Sequence, residues 1–147
     1  MQTPSDAYVL IAVAAGSATA AVIDLRTRRV PNALTLSIAT VGMAIAASGV
    51  GRVSVAAAIG GAVVGVLLLM PGHIFGGTGA GDVKLLGALG TLLGPAATLT
   101  AFLATAVTGG VMALAIAVHR RRTGDIDHRF AYAPAIAVGA CVAVVGW

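Results

Sequence analysis

The ionisable residues of this chain stand in short clusters, and long apolar intervals between them carry no charge at all. Those intervals are Ala7–Ile23, Pro31–Gly51, Val53–Gly81, Leu85–Val118 and Phe130–Trp147. A helix crossing a hydrocarbon core of about 30 Å needs about 20 apolar residues, and most of the intervals approach or exceed that. Only 10% of the residues are charged and 59% are hydrophobic, whereas soluble domains carry about a quarter charged residues. The pattern predicts an all-α, polytopic membrane protein forming one membrane-embedded domain over residues 1–147. The net charge of +4 does not point to nucleic acid, because the basic residues lie between apolar runs, as in membrane topology. Met1 to Tyr8 has no Lys or Arg, so the first run reads as a retained span rather than a cleaved signal.

Leu85–Val118 is too long for one crossing, since 34 helical residues would extend roughly 50 Å. Gly94-Pro95 offers a break, because glycine caps helices and proline cannot continue them. Splitting there gives spans at about 81–93 and 95–118 and a total of six transmembrane helices, with both termini outside. Eight of the nine basic residues, Arg26, Arg28, Arg29, Lys84, Arg120, Arg121, Arg122 and Arg129, then fall on the cytoplasmic face, and only Arg52 on the other. This asymmetry is the positive-inside pattern. The last third of Val53–Gly81 reads as a glycine-rich loop. Gly61-x-x-x-Gly65 and Gly90-x-x-x-Gly94 read as close helix packing.

The orientation puts two carboxyls at one depth. Asp24 closes the first span, and Asp82 opens the fourth within Gly79-Ala80-Gly81-Asp82-Val83-Lys84. They are two of only five acidic residues, and there is no Glu. A carboxyl beside an apolar run is costly and by default suggests function. Two together permit aspartyl-protease chemistry, in which an ionised carboxylate takes a proton from water while a neutral one protonates the scissile carbonyl. No metal, cofactor or nucleophilic side chain is needed. Asp82 at a helix start and Asp24 at a helix end suggest Asp82 as the base and Asp24 as the acid. Asp125 and Asp127 read as solvated loop residues. Cys141, the single cysteine, reads as a small apolar residue, and no disulfide or zinc framework can form.

A first-span Asp followed by basic residues and Pro31-Asn32, then G-x-G-D-x-K, then Tyr132-Ala133-Pro134-Ala135-Ile136-Ala137-x-Gly139-Ala140, resembles the prepilin peptidases, GxGD-type intramembrane aspartyl proteases. The resemblance covers essentially the whole chain. It implies Asp24 and Asp82 as the catalytic pair and favours substrate docking over a tolerated kink for Pro134. From the residues themselves, Gly79 and Gly81 leave room for an extended substrate backbone to approach Asp82 closely, and Lys84, which either tunes Asp82 or marks the inner face, is grouped with them as substrate-contacting. The resemblance also implies removal of the leader from type IV pilin-like, single-helix precursors at the cytoplasmic face of the inner membrane. Longer members of the family also methylate the new N-terminus through a domain with paired cysteines. Without such a pair, this chain is expected to cleave without methylating, most like the peptidases of tight-adherence (Flp-type) pilus systems. The other partners expected are membrane lipids, through the arginine clusters.

Taken singly, Asp82 reads equally as a helix N-cap and Asp24 as the i,i+4 partner of Arg28. Six small spans with intramembrane carboxyls also fit a proton-coupled transporter or small channel. The shared depth of the pair and the glycine motif favour the peptidase.

Overall fold

The structure is a computed structural model, and it describes residues 4–27, 29–123 and 132–146. Arg28, the 124–131 segment with Asp125, Asp127 and Arg129, and Trp147 lie outside the described residues, as do the side chains of 4–6, 116, 117 and 119–123. Among the described residues there are five helices: α1 (Pro4–Thr27), α2 (Asn32–Ser48), α3 (Val55–Ile74), α4 (Ala80–Thr123) and α5 (Ala133–Val145). No strand occurs among the described residues. Three of the helices contain stretches long and apolar enough to cross a membrane, Ala7–Thr27, Val55–Ile74 and Ala80–Ala115; α2 and α5 are apolar but shorter.

The 44-residue α4 is not one rod. Gly94 inside it has φ 72° and ψ 173°, a backbone setting that essentially only glycine adopts without strain. Pro95 follows and brings no N–H to continue the ladder. The buried Thr98 hydroxyl donates to the Gly94 carbonyl at 2.6 Å. The break expected at Gly94-Pro95 is therefore present, and it divides α4 into a first arm (80–93) and a second arm (95–123).

Glycines set how the helices meet. Gly61 of α3 lies against the backbone of Gly90 and Gly94, and Gly65 against Leu86 and Gly87. This register runs α3 antiparallel to the first arm, with no room for a side chain at the crossing. The two small-x-x-x-small patterns thus pack on each other. Gly42 of α2 faces Thr91, and Asn32 faces Lys84, so α2 runs parallel to the same arm. Gly139 of α5 meets Ala101 and Thr105, and Tyr132 meets Gly109, so α5 runs antiparallel to the second arm. Leu85, Leu86, Leu89 and Leu93 of the first arm and Ile136 of α5 are fully buried and fill the middle. Leu25, Leu36, Leu67, Leu103 and Leu114 point outward, as expected of surfaces that face lipid tails.

Helix ends differ from the sequence reading in one instructive place. The last third of Val53–Gly81 was expected to be a glycine-rich loop. Instead α3 continues through Pro71 and Gly72 to Ile74, and α4 begins at Ala80, leaving only 75–79 outside helix. The short connection is tightly tied. Gly77 and Thr78 N–H groups donate to the Gly72 carbonyl at 2.8 and 3.1 Å, and Gly76 takes φ 77°. His73 Nδ1 lies 3.1 Å from the Thr78 carbonyl. Exposed Ile74 and Phe75 cap this end of α3.

Candidate active site

Asp24 lies in the last turn of α1, flanked by exposed Leu25 and Arg26, yet it is itself only 6% exposed. Its Oδ2 accepts a hydrogen bond from the Ala133 N–H at 3.3 Å, across 109 residues of chain. Arg28, the local partner considered from sequence, lies outside the described residues. Asp82 is 7% exposed. It is the third residue of α4, not its N-cap. Gly79 holds the capping position, and its N–H donates to Asp82 Oδ2 at 3.0 Å while its carbonyl accepts from the Asp82 N–H at 3.1 Å. This is the return half of a capping box, the third helical residue reaching back to the residue before the helix. The two carboxyls lie within electrostatic range of each other. Burying a carboxyl without a partner is costly, and each of these is met by a backbone N–H.

The start of α5 is arranged around Asp24. An α-helix leaves its first N–H groups without intrahelical acceptors. Here Pro134, near the helix start, has no N–H to leave. The Ala135 and Ile136 N–H groups close onto the Tyr132 carbonyl at 3.0 and 3.2 Å. The Ala133 N–H therefore projects onto Asp24. Tyr132 is packed against the buried core, its ring and hydroxyl lying over Gly109 of the second arm.

The other residues singled out from sequence fall around this centre rather than in it. A side chain built at Gly79 would begin 3.1 Å from Asp82 Oδ2. One at Gly81 would begin 3.1 Å from Val30 Cβ and 3.4 Å from the Val30 nitrogen. The space above Gly81, expected to admit substrate, is thus occupied by the link between α1 and α2. Lys84 donates to Asn32 Oδ1 at 3.0 Å. These two residues stand at one end of a groove of about 430 Å³ between α2, α3 and the first arm, floored by Gly87, Ala88 and Thr91. Neither aspartate lines it. Tyr132 and Ala133 were not expected to act at the site. Their sequence signals were the proline beside them, which marks a helix start, and their place in the Tyr132–Ala140 segment that carries the family resemblance.

The long apolar helices mark an integral membrane protein. Residues 11–114 match the type IV leader peptidase family, and the chain belongs to that family. It is accordingly a prepilin leader peptidase, a protease of type IV pilus systems. No curated protein and no solved structure matches the chain closely enough to add to this.

Proposed function

We propose that this protein is an aspartyl endopeptidase that removes the leader of type IV pilin-like precursors, with Asp24 and Asp82 as its catalytic pair. The observation that carries the reading is the pair itself: two buried carboxyls from distant parts of the chain, within electrostatic range. One carboxylate takes a proton from water as the water oxygen attacks the scissile carbonyl carbon. The other, protonated, gives its proton to the carbonyl oxygen. In the second half the tetrahedral gem-diol collapses and the C–N bond breaks; the leaving amine takes the proton from the first carboxyl, and one gem-diol hydroxyl returns its proton to the second carboxylate, restoring the starting pair. Only backbone N–H groups and two carboxyls are used.

The family supports a prepilin substrate. Gly79 and Pro134 border the carboxyls, Gly81 supports the wall beside them, and Lys84 lies on the approach. These four are the residues we assign to substrate handling. A six-span arrangement in the inner membrane, with both termini outside and the carboxyls at the cytoplasmic face, is supported by the basic-residue asymmetry and by the break at Gly94. We take the activity to be cleavage without methylation, as in Flp-type systems.

The test is cleavage of an Flp-type precursor in membranes carrying Asp24→Asn or Asp82→Asn. Each is expected to lower turnover at least about 100-fold, the scale of general acid–base catalysis, at unchanged protein level. Normal cleavage by either variant would refute the pair. In a Cys141→Ala background, a cysteine at position 27 should react only with reagents admitted to the cytoplasmic side. Labelling from outside would overturn the topology.

A further inference from the structure

The short connection from α3 to α4 carries a contact that has no part in the acid–base scheme. His73 stands in the last turn of α3, past Pro71 and Gly72. Its Nδ1 lies 3.1 Å from the Thr78 carbonyl oxygen. A carbonyl oxygen only accepts, so Nδ1 carries the proton and donates. The Thr78 carbonyl and the Gly79 N–H are the two ends of a single peptide group, and that N–H is the donor to Asp82 Oδ2 at 3.0 Å. A chain of hydrogen bonds therefore runs from the His73 imidazole, through one peptide, to the carboxyl.

A trans peptide group is planar, and its C=O and N–H point in opposite directions. Whatever fixes the carbonyl also fixes the line of the N–H. This matters at Gly79, which precedes the helix, because its N–H stands outside the helical ladder and takes no direction from it. Glycine also leaves the backbone on its side of the peptide weakly restricted. On the other side Thr78 is tied to α3, its N–H donating to the Gly72 carbonyl at 3.1 Å and its hydroxyl to the Leu69 carbonyl at 3.4 Å. Those two ties place Thr78 but do not choose the rotation of the peptide that follows it. The bond from His73 does. Donation to the carbonyl also polarises the peptide, which strengthens its N–H as a donor. His73 is exposed, and a bond that competes with water contributes little to stability. Its consequence is one of direction.

We propose that His73 is a positioning residue of the site: by holding the Thr78 carbonyl it aims the Gly79 N–H at Asp82 and so sets the orientation of that carboxyl. The inference rests on the assignment of Asp82 to the catalytic pair. It gives the turn of α3 beyond Pro71 a part in the site.

His73→Phe keeps an aromatic ring at the position and removes the donor, and His73→Leu removes the ring as well. On an Flp-type precursor both are expected to lower kcat about 3- to 10-fold, since small misplacements of a reacting group cost rate, with KM within twofold. Asparagine carries its amide nitrogen at the same number of bonds from the backbone as histidine carries Nδ1, so His73→Asn is expected to recover most of the lost rate. Rates are taken per folded enzyme, with the melting temperature measured beside them. A purely structural tie predicts wild-type kcat in all three variants and differences only in melting temperature or protein level, which would overturn the proposal. So would a change confined to KM, or a His73→Asn no faster than the apolar variants. If His73→Phe fails to accumulate, His73→Leu against His73→Asn decides, and equal kcat in those two overturns it. Asp82→Asn, assayed alongside, keeps the two readings apart. If it remains active, the catalytic pair is wrong. If it is inactive while all three His73 variants match wild type, only the role of His73 falls.

Discussion

Asp24 and Asp82 are equally hidden, at 6% and 7% exposure, but they are held by unlike means. Asp82 is fixed by its own neighbourhood: the donor to its carboxylate is three residues away, in the same G-x-G-D run that starts its helix. Asp24 is fixed from the far end of the chain, by an N–H that α5 delivers. One carboxyl needs a local turn to form, and the other needs the helices to assemble. The difference also alters the electrostatics expected from sequence. The end of α1 was expected to set a negative field at Asp24, opposite in sign to the field at Asp82. Instead the start of α5 meets Asp24 and brings its own positive end. Such effects are each about 0.3–1 kcal/mol, so the two helix ends at Asp24 offset one another. Helix ends therefore do not separate the two carboxyls.

The comparison breaks most severely if α5 is lifted. Gly139 faces Thr105 and the Ala101 carbonyl with no space for a side chain. Gly139→Leu should push α5 off the second arm and withdraw the Ala133 N–H from Asp24. Cleavage is expected to fall more than about 100-fold, the range lost with general acid–base catalysis itself, while α3 and the first arm still pack through Gly61 and Gly90. Activity within a few-fold of wild type in an otherwise folded protein would show that Asp24 does not depend on α5.

The local side of the comparison is sharpened by Gly79→Ala. The added methyl would sit 3.1 Å from Asp82 Oδ2, close enough that the carboxylate must yield by a few tenths of an ångström. Small misplacements of reacting groups cost rate steeply. We expect kcat to fall roughly 3- to 30-fold, with the Gly79 N–H still bonded and the fold unaffected. This is a smaller loss than at Gly139, because the capping turn can adjust within itself. An effect as large as that of Gly139→Leu would mean that Asp82 is held as rigidly as Asp24.

The same contrast explains what was legible in the sequence. The Gly79–Asp82 turn could be read because capping is a matter of spacing, and the Gly94-Pro95 break because both residues act locally on the backbone. The Gly61 and Gly90 patterns could be read as packing, although not as packing on each other. The end of α3 was misjudged because Pro71 and Gly72 stop helices in water more readily than in apolar surroundings, where neighbouring groups take up freed backbone atoms. Here the Gly72 carbonyl is taken by Gly77 and Thr78. Nothing in the order of residues connects Asp24 with Ala133, and nothing local says that Gly109 makes a place for Tyr132. Those contacts exist only once α5 has found the second arm. For Gly81 the residue type was read correctly as a demand for close approach, but the approaching backbone is that of Val30.

The smallest effect is expected at Lys84, the one motif residue outside both supports. Its ammonium donates to Asn32 Oδ1 at 3.0 Å between exposed groups, and a hydrogen bond so placed contributes little, about 1 kcal/mol or less. Its absence should leave both carboxyls where they are, since neither the Gly79 turn nor the α5 contact involves it. What Lys84 can change is the approach. It stands where the apolar groove meets the end of the molecule that carries the carboxyls, and a positive charge there acts on whatever part of a precursor passes between α2 and the first arm. Lys84→Met keeps the length and apolar stem of the side chain and removes the charge. KM for the precursor is expected to rise about three- to tenfold, corresponding to roughly 0.7–1.4 kcal/mol of lost binding, with kcat within twofold and Asn32→Leu nearly silent. A matching fall in kcat with KM unchanged would place Lys84 with the carboxyls, and the division between a locally held Asp82 and a remotely held Asp24 would need a third support.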